Sequence, residues 1–170
     1  MIIFAHGLEG SPNGSKIRAL RNAGFDVVAP DFQGMVLADR VDLLEEICLE
    51  YAPQQPVLAG SSYGGLTAAI IAMRMPDAFR GLLLCAPALH LVEPPVDDET
   101  VLVTPNGLKT VIIHGTGDDI VPISCSIDYA ARSGNDVIAF HQVNDGHRLA
   151  ESHQEIIGAA QLLSGETIDS

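Results

Sequence analysis

Basic side chains are scarce in this chain of 170 residues. Nine Lys and Arg stand against 22 Asp and Glu, for a formal net charge of −13 at pH 7. Binding to nucleic acid or to an anionic membrane needs clustered Lys and Arg, so the balance argues against both. The acidic residues are scattered, which reads as solubility. Cysteine is also sparse. Cys48, Cys85 and Cys125 lie far apart in apolar surroundings, a spacing that fits neither a disulfide framework nor a metal site. They are expected as small buried hydrophobes. No apolar run approaches the ~18 residues of a membrane span. Met1 to Gly7 carries no basic stretch ahead of its apolar residues, so no signal peptide and a cytoplasmic location are expected. No internal repeat is visible.

What the chain does have is enough apolar material for a core. Its length and its 47% hydrophobic content predict a single domain over residues 1–170. Strands are predicted over Ile2–Ala5, Phe25–Ala29, Pro56–Ala59, Gly81–Cys85, Lys109–His114 and Val137–His141. Helices are predicted over Ser15–Ala23, Asp39–Tyr51, the stretch from Gly64 to Pro76, Ser124–Ser133 and Leu149–Leu163. Short apolar strands alternating with helices belong to a parallel sheet buried on both faces. The rhythm breaks at Ala86–Leu108, which holds Pro87, Pro94, Pro95, Pro105 and the acidic run Asp97-Asp98-Glu99. A connection of this kind is either a lid over a site or a plain crossover that covers the sheet.

The centre of the pattern is Gly60-Ser61-Ser62-Tyr63-Gly64, between an apolar strand and an Ala- and Ile-rich helix. A strand that turns directly into a helix leaves its central residue on a sharp turn. Glycines two before and two after let the arms pass without a Cβ clash. Ser62 is then pushed out at the top of the sheet, where the helix N-terminus aims its free N–H groups. The same five residues could also be a turn without chemistry or a phosphate-cradling loop.

A serine hydroxyl needs a base, and the base needs an orienting group. Asp118 follows the fifth strand in His114-Gly115-Thr116-Gly117-Asp118, and His147 follows the sixth in Asn144-Asp145-Gly146-His147. Both loops leave the carboxyl edge of the sheet, the edge where Ser62 sits. The predicted catalytic set is Ser62, Asp118 and His147. An oxyanion would need two donors, assigned to the N–H groups of Tyr63 and Leu8, with Gly7 giving the loop room to turn. Asp119 is the rival acid. Asp145 reads as a turn former, and His6 as a residue that packs the loop after the first strand. His114 reads as structural, and His90 and His153 as surface residues. Ser61 should point away from the apex. Glu9 and Arg148 flank the site as solvated charges.

Four motifs now stand in order: His6-Gly7, Gly60-x-Ser62-x-Gly64, Gly115-x-x-Asp118-x-x-Val121-Pro122 and Asp145-Gly146-His147. On these the chain resembles the α/β-hydrolases, and in particular small single-domain bacterial YqiA-like esterases. It departs from larger members in lacking the family's first two strands and in a cap reduced to residues 86–108. The resemblance implies a minimal α/β-hydrolase fold: a mainly parallel six-stranded sheet, helices on both faces and a reduced lid. It implies a serine hydrolase acting on a small ester through an acyl-enzyme, with no metal and no cofactor. A thioesterase on the same triad, or a non-catalytic binding member of the fold, are the alternatives. The expected partner is a small-molecule ester or thioester, not nucleic acid or a membrane. The oligomeric state stays open.

Overall fold

A computed structural model describes residues 1–165. Six strands form one parallel sheet: β1 (Ile2–Ala5), β2 (Val27–Val28), β3 (Val57–Ser61), β4 (Gly81–Cys85), β5 (Thr110–Gly115) and β6 (Val137–Val143). Their spatial order is β2-β1-β3-β4-β5-β6, and every neighbouring pair is parallel. Among the described residues four helices connect strands, α1 (Ser15–Asn22), α2 (Leu37–Tyr51), α3 (Tyr63–Arg74) and α4 (Ile123–Ser133), and α5 (His153–Ser164) follows β6.

Successive strand residues point to opposite faces, and this sorts the core into two layers. Ile3, Leu58, Leu82, Leu84 and Ile112 pack with α2, α3 and α4 through Leu37, Leu44, Leu66 and Tyr129. Ile2, Phe4, Val57, Leu83, Val111 and Ile113 pack with α1 and α5 through Ile17, Leu20, Ile156 and Leu163. Each fully buried aliphatic side chain contributes about 1.5–3 kcal/mol. The cysteines are free and buried. Burial pushes the Cys48 thiol up to about 12 and the Cys85 thiol up to about 11, which leaves them neutral and unreactive.

Two elements differ most from the sequence expectation. The second strand shrinks from Phe25–Ala29 to Val27–Val28. It lies at the edge of the sheet, Phe25 N–H donates to Leu20 near the end of α1, and Pro30 has no N–H to extend the ladder. The last helix begins at His153 instead of Leu149. Leu149 has φ +50, and the Asp145 carboxylate takes the Glu151 N–H and the Ser152 hydroxyl, so these residues serve the preceding loop. His153, expected at the surface, is half-buried. Between β4 and β5 the described residues form no crossover helix, only a 3-10 turn at Glu99–Val101. Leu89, Val96, Leu102 and Leu108 from this segment are nevertheless buried in the layer of α2, α3 and α4.

Candidate active site

Ser62 sits between the last residue of β3 and the first of α3, with φ 57 and ψ −119. A non-glycine residue held there is strained, and the surroundings hold it. Ser62 N–H donates to Cys85 at 2.9 Å, and Ser62 O accepts from Leu66 at 3.1 Å and Ala88 at 2.9 Å. The flanking glycines are steric requirements. A Cβ on Gly60 would lie 2.3 Å from the Gly64 carbonyl oxygen, and a Cβ on Gly64 would lie 2.1 Å from that of Ala5. The first turn of α3 leaves the Tyr63 N–H without an intrahelical acceptor.

The three residues chosen from sequence come together. His147 Nε2 lies 2.9 Å from Ser62 Oγ, and its Nδ1 lies 2.7 Å from Asp118 Oδ2. The carboxylate can only accept, so Nδ1 carries the proton and Nε2 is free to accept from the serine. The Asp118 side chain is fully buried, and that of His147 is 19% exposed. Burial alone would raise the Asp118 carboxyl. The N–H groups of Val121 (2.8 Å) and Ile120 (2.9 Å) on Oδ1, together with His147, outweigh it and hold the group below its ordinary value. Asp119, the rival acid, is exposed at the rim.

Asp145 builds the loop that carries His147. Its carboxylate accepts from Gly146 N–H at 2.7 Å, Glu151 N–H at 2.9 Å and Ser152 Oγ at 2.8 Å. Burial opposes the charge, and these donors outweigh it, so its carboxyl also lies below the usual range. On the other side of His147, Lys16 Nζ donates to the Arg148 carbonyl at 2.6 Å. Burial lowers the Lys16 ammonium.

The loop after β1 is pinned twice. The Gly7 carbonyl accepts from His6 Nδ1 at 2.7 Å and from Gly10 N–H at 3.1 Å. A trans peptide points its N–H opposite to its C=O, so the Leu8 N–H is turned away from those two donors. His6 Nε2 accepts from Phe32 N–H at 2.9 Å, so one ring nitrogen is engaged within the loop and the other on the segment between β2 and α2. The His6 carbonyl in turn accepts from Arg40 Nη1 at 2.8 Å. Arg40 is fully buried. Its guanidinium also donates to Phe32 O at 3.1 Å and Met35 O at 3.2 Å, and its centre lies 4.8 Å from the centroid of the Tyr63 ring. The Tyr63 hydroxyl donates to Glu93, and burial together with that carboxylate pushes the phenol up to about 12.

A cavity of about 830 Å³ opens beside Ser62. Its wall includes Leu8, Lys16, Ile17, Ile120 and His147, and no residue of 86–108 lines it. Leu8 and Ile120 are 61% and 65% exposed, so they form its rim. Glu9 and Arg148 face each other at 4.0 Å, both almost wholly in solvent. His90 is exposed. Among the described residues no cluster of His, Cys, Asp and Glu could hold a metal ion, and no helix is long and apolar enough to cross a membrane.

Sequence reasoning missed Arg40 and Lys16. A signal for Arg40 existed: it falls on the apolar stripe of α2, three residues after Leu37 and one before Val41. Lys16 carried none, because its acceptor lies 132 residues away.

A sequence profile of the alpha/beta hydrolase family matches residues 2–112. Curated proteins yield no sequence match. An alpha/beta-superfamily protein from Xanthomonas campestris pv. campestris is 30% identical with a TM-score of 0.79, over 97% of this chain and 98% of that one. Est1E from Butyrivibrio proteoclasticus, in complex with ferulic acid, is 18% identical with a TM-score of 0.79, over 98% and 88% of the two chains. A monoacylglycerol lipase from Paleococcus ferrophilus is 18% identical with a TM-score of 0.73, over 97% and 94%. The last two likenesses are of fold. The profile match over more than half of the chain and the near full-length relative together make this chain a member of the alpha/beta hydrolase family.

Proposed function

We propose that this protein is a serine hydrolase that cleaves carboxylic esters of small acyl groups through an acyl-enzyme. The observation that carries the reading is the unbroken hydrogen-bond chain from Asp118 through His147 to Ser62. In this reading His147 Nε2 takes the Ser62 proton as Oγ attacks the ester carbonyl carbon. The C=O electron pair moves onto oxygen, and the N–H groups of Tyr63 and Leu8 receive the oxyanion. Asp118 keeps the imidazole in its tautomer and faces the imidazolium that forms. As the tetrahedral centre collapses, the bond to the leaving alkoxide breaks and His147 returns the proton to it. Water then attacks the acyl-enzyme with His147 again as base, and the acid and free Ser62 are released.

The substrate class rests on supporting features. The cavity beside Ser62 is open, with an apolar rim of Leu8 and Ile120, which suits short acyl groups. Ferulic acid, bound to Est1E, is a carboxylic acid, and the lipase of similar fold acts on monoacylglycerol esters. The whole chain 1–170 is taken as one cytoplasmic domain. The buried side chains of 86–108 support a crossover that covers the sheet more than a lid.

A fluorophosphonate probe tests the reading. It should label the wild type and not Ser62→Ala. Label that persists in Ser62→Ala, or moves to Ser61, refutes the assignment. A panel of p-nitrophenyl esters of rising chain length, run beside acyl-CoA substrates, then separates an esterase from a thioesterase. Binding without turnover on both would leave a ligand-binding member of the fold.

A further inference from the structure

The buried acid has a second histidine. His114, at the end of β5, has a fully buried side chain with Nε2 3.1 Å from Asp118 Oδ2, the same oxygen that meets His147. Nε2 also lies 3.1 Å from the Val121 carbonyl, and Nδ1 lies 2.8 Å from Ser126 Oγ. Both neighbours of Nε2 are acceptors, so Nε2 must carry a hydrogen. Burial lowers the basicity of the ring, which leaves Nδ1 as an acceptor for the Ser126 hydroxyl. Ser126 is itself fully buried, on α4. Asp118 is thus contacted on both oxygens: Oδ1 accepts two backbone N–H groups, Oδ2 accepts from His147 Nδ1, and the His114 N–H, hydrogen-bonded to the Val121 carbonyl, lies close to the same Oδ2 at 3.1 Å.

We propose that His114, oriented by Ser126, is a positioning residue that aims Asp118 at His147 and tempers the charge that His147 faces. The inference rests on the Ser62, His147 and Asp118 reading above. Physically, a carboxylate oxygen shared between two N–H donors presents less free negative charge to either one. Rotating away from His147 would also give up its 3.1 Å contact with His114 Nε2. The titratable groups that face His114 are Asp118 from the loop after β5 and His147 beyond it. The polarity runs in one direction: the Ser126 hydroxyl donates to His114 Nδ1, and the His114 N–H faces Val121 O and the Asp118 oxygen that His147 also meets.

Two substitutions and a pH profile test this. His114→Leu removes the donor at similar volume, and His114→Gln places an amide N–H near the position of Nε2. His114→Leu should lower kcat by about 10- to 100-fold, the size of a small misplacement of a reacting group, with KM little changed. With one donor gone, Asp118 draws the proton of the base more strongly. The acid limb of kcat/KM should therefore move to higher pH, by about half a unit to one unit. His114→Gln should restore most of kcat and bring the limb back toward the wild type. Should His114→Leu fail to fold, Ser126→Ala gives a smaller change of the same sign, because the ring loses the hydroxyl that fixes its rotation on the Nδ1 side. A purely structural role predicts equal losses in the Leu and Gln variants with an unmoved limb, and that result overturns the proposal. Fluorophosphonate labelling separates the two failures. Wild type labelled at Ser62 with an unmoved limb refutes only the role of His114, whereas absence of label at Ser62 refutes the triad beneath it.

Discussion

Replacing Asp118 by Asn removes one charge and changes one acceptor into a donor, and the hydrogen bonds around the carboxylate dictate the outcome. Oδ1 accepts from the Ile120 and Val121 N–H groups at 2.9 and 2.8 Å, so the Asn carbonyl must take that side. Its NH2 then faces His147 Nδ1 and His114 Nε2, both of which present N–H in the native protein. His147 relieves the clash only by moving its proton to Nε2, the nitrogen 2.9 Å from Ser62 Oγ. The base is then already protonated where it should accept. A tautomer error of this kind in a Ser-His-Asp triad costs about 10³–10⁴ in kcat, or about 4–5.5 kcal/mol. KM for a short p-nitrophenyl ester should stay near the wild-type value. The buried His114 N–H stays hydrogen-bonded to the Val121 carbonyl and loses only its contact with the carboxylate, a cost of about 0.5–1.5 kcal/mol, so Tm should fall by roughly 1–6 °C. Asp119→Asn, at an exposed position, should change kcat by less than about threefold and leave Tm within ~2 °C. Steady-state kinetics and thermal melting on both variants decide the matter. If Asp119→Asn costs more than Asp118→Asn, or if Asp118→Asn loses less than tenfold, Asp118 does not hold the base in its tautomer.

Three further outcomes are expected. Gly64→Ala should yield no folded, active protein, since its Cβ would lie 2.1 Å from the Ala5 oxygen; Gly158→Ala, in α5 with nothing within 4 Å of its Cβ, should gain about 0.5–1 kcal/mol in denaturant melts. Ile120→Ala, at the cavity rim, should shift the preferred acyl chain length by a graded ~1–3 kcal/mol, whereas Val92→Ala, outside the cavity, should leave the chain-length profile unchanged; the opposite ranking would show that 86–108 lines the acyl site. Asp118 and Asp145 both sit below their ordinary values in the folded protein, so their stabilising contribution is complete above the usual carboxylate range of about 4 and is lost as pH falls through the folded values; Tm should be flat from neutral pH down to about 5 and drop below about 4, and Asp145→Asn should flatten that drop.

Much of this protein is legible in the sequence. The turn at Ser62 depends on residues within two positions of it, so Gly60 and Gly64 announce it. The layering of the sheet follows from strands that are apolar at nearly every position, as in Gly81–Cys85 and Thr110–Gly115. Asp118 and His147 could be chosen because each loop directly follows a parallel strand, and all such loops leave the same edge. The boundaries of the second strand and the last helix were not legible. The former is set by an edge position with one neighbour, and the latter by an Asp145 carboxylate that claims the residues ahead of the helix.

By itself the sequence determined the alternation of strand and helix, the strained serine and the order of the three candidate catalytic groups, because each depends on neighbours along the chain. Tertiary structure alone decided that Arg40 lies buried against the carbonyls of His6, Phe32 and Met35, that Lys16 holds the His147 loop, and that His114 turns to the face where Asp118 and Ser126 wait. The reason is physical. A buried donor is satisfied by whichever acceptor folding brings within about 3 Å, and those acceptors come from segments whose separation along the chain carries no trace of the contact.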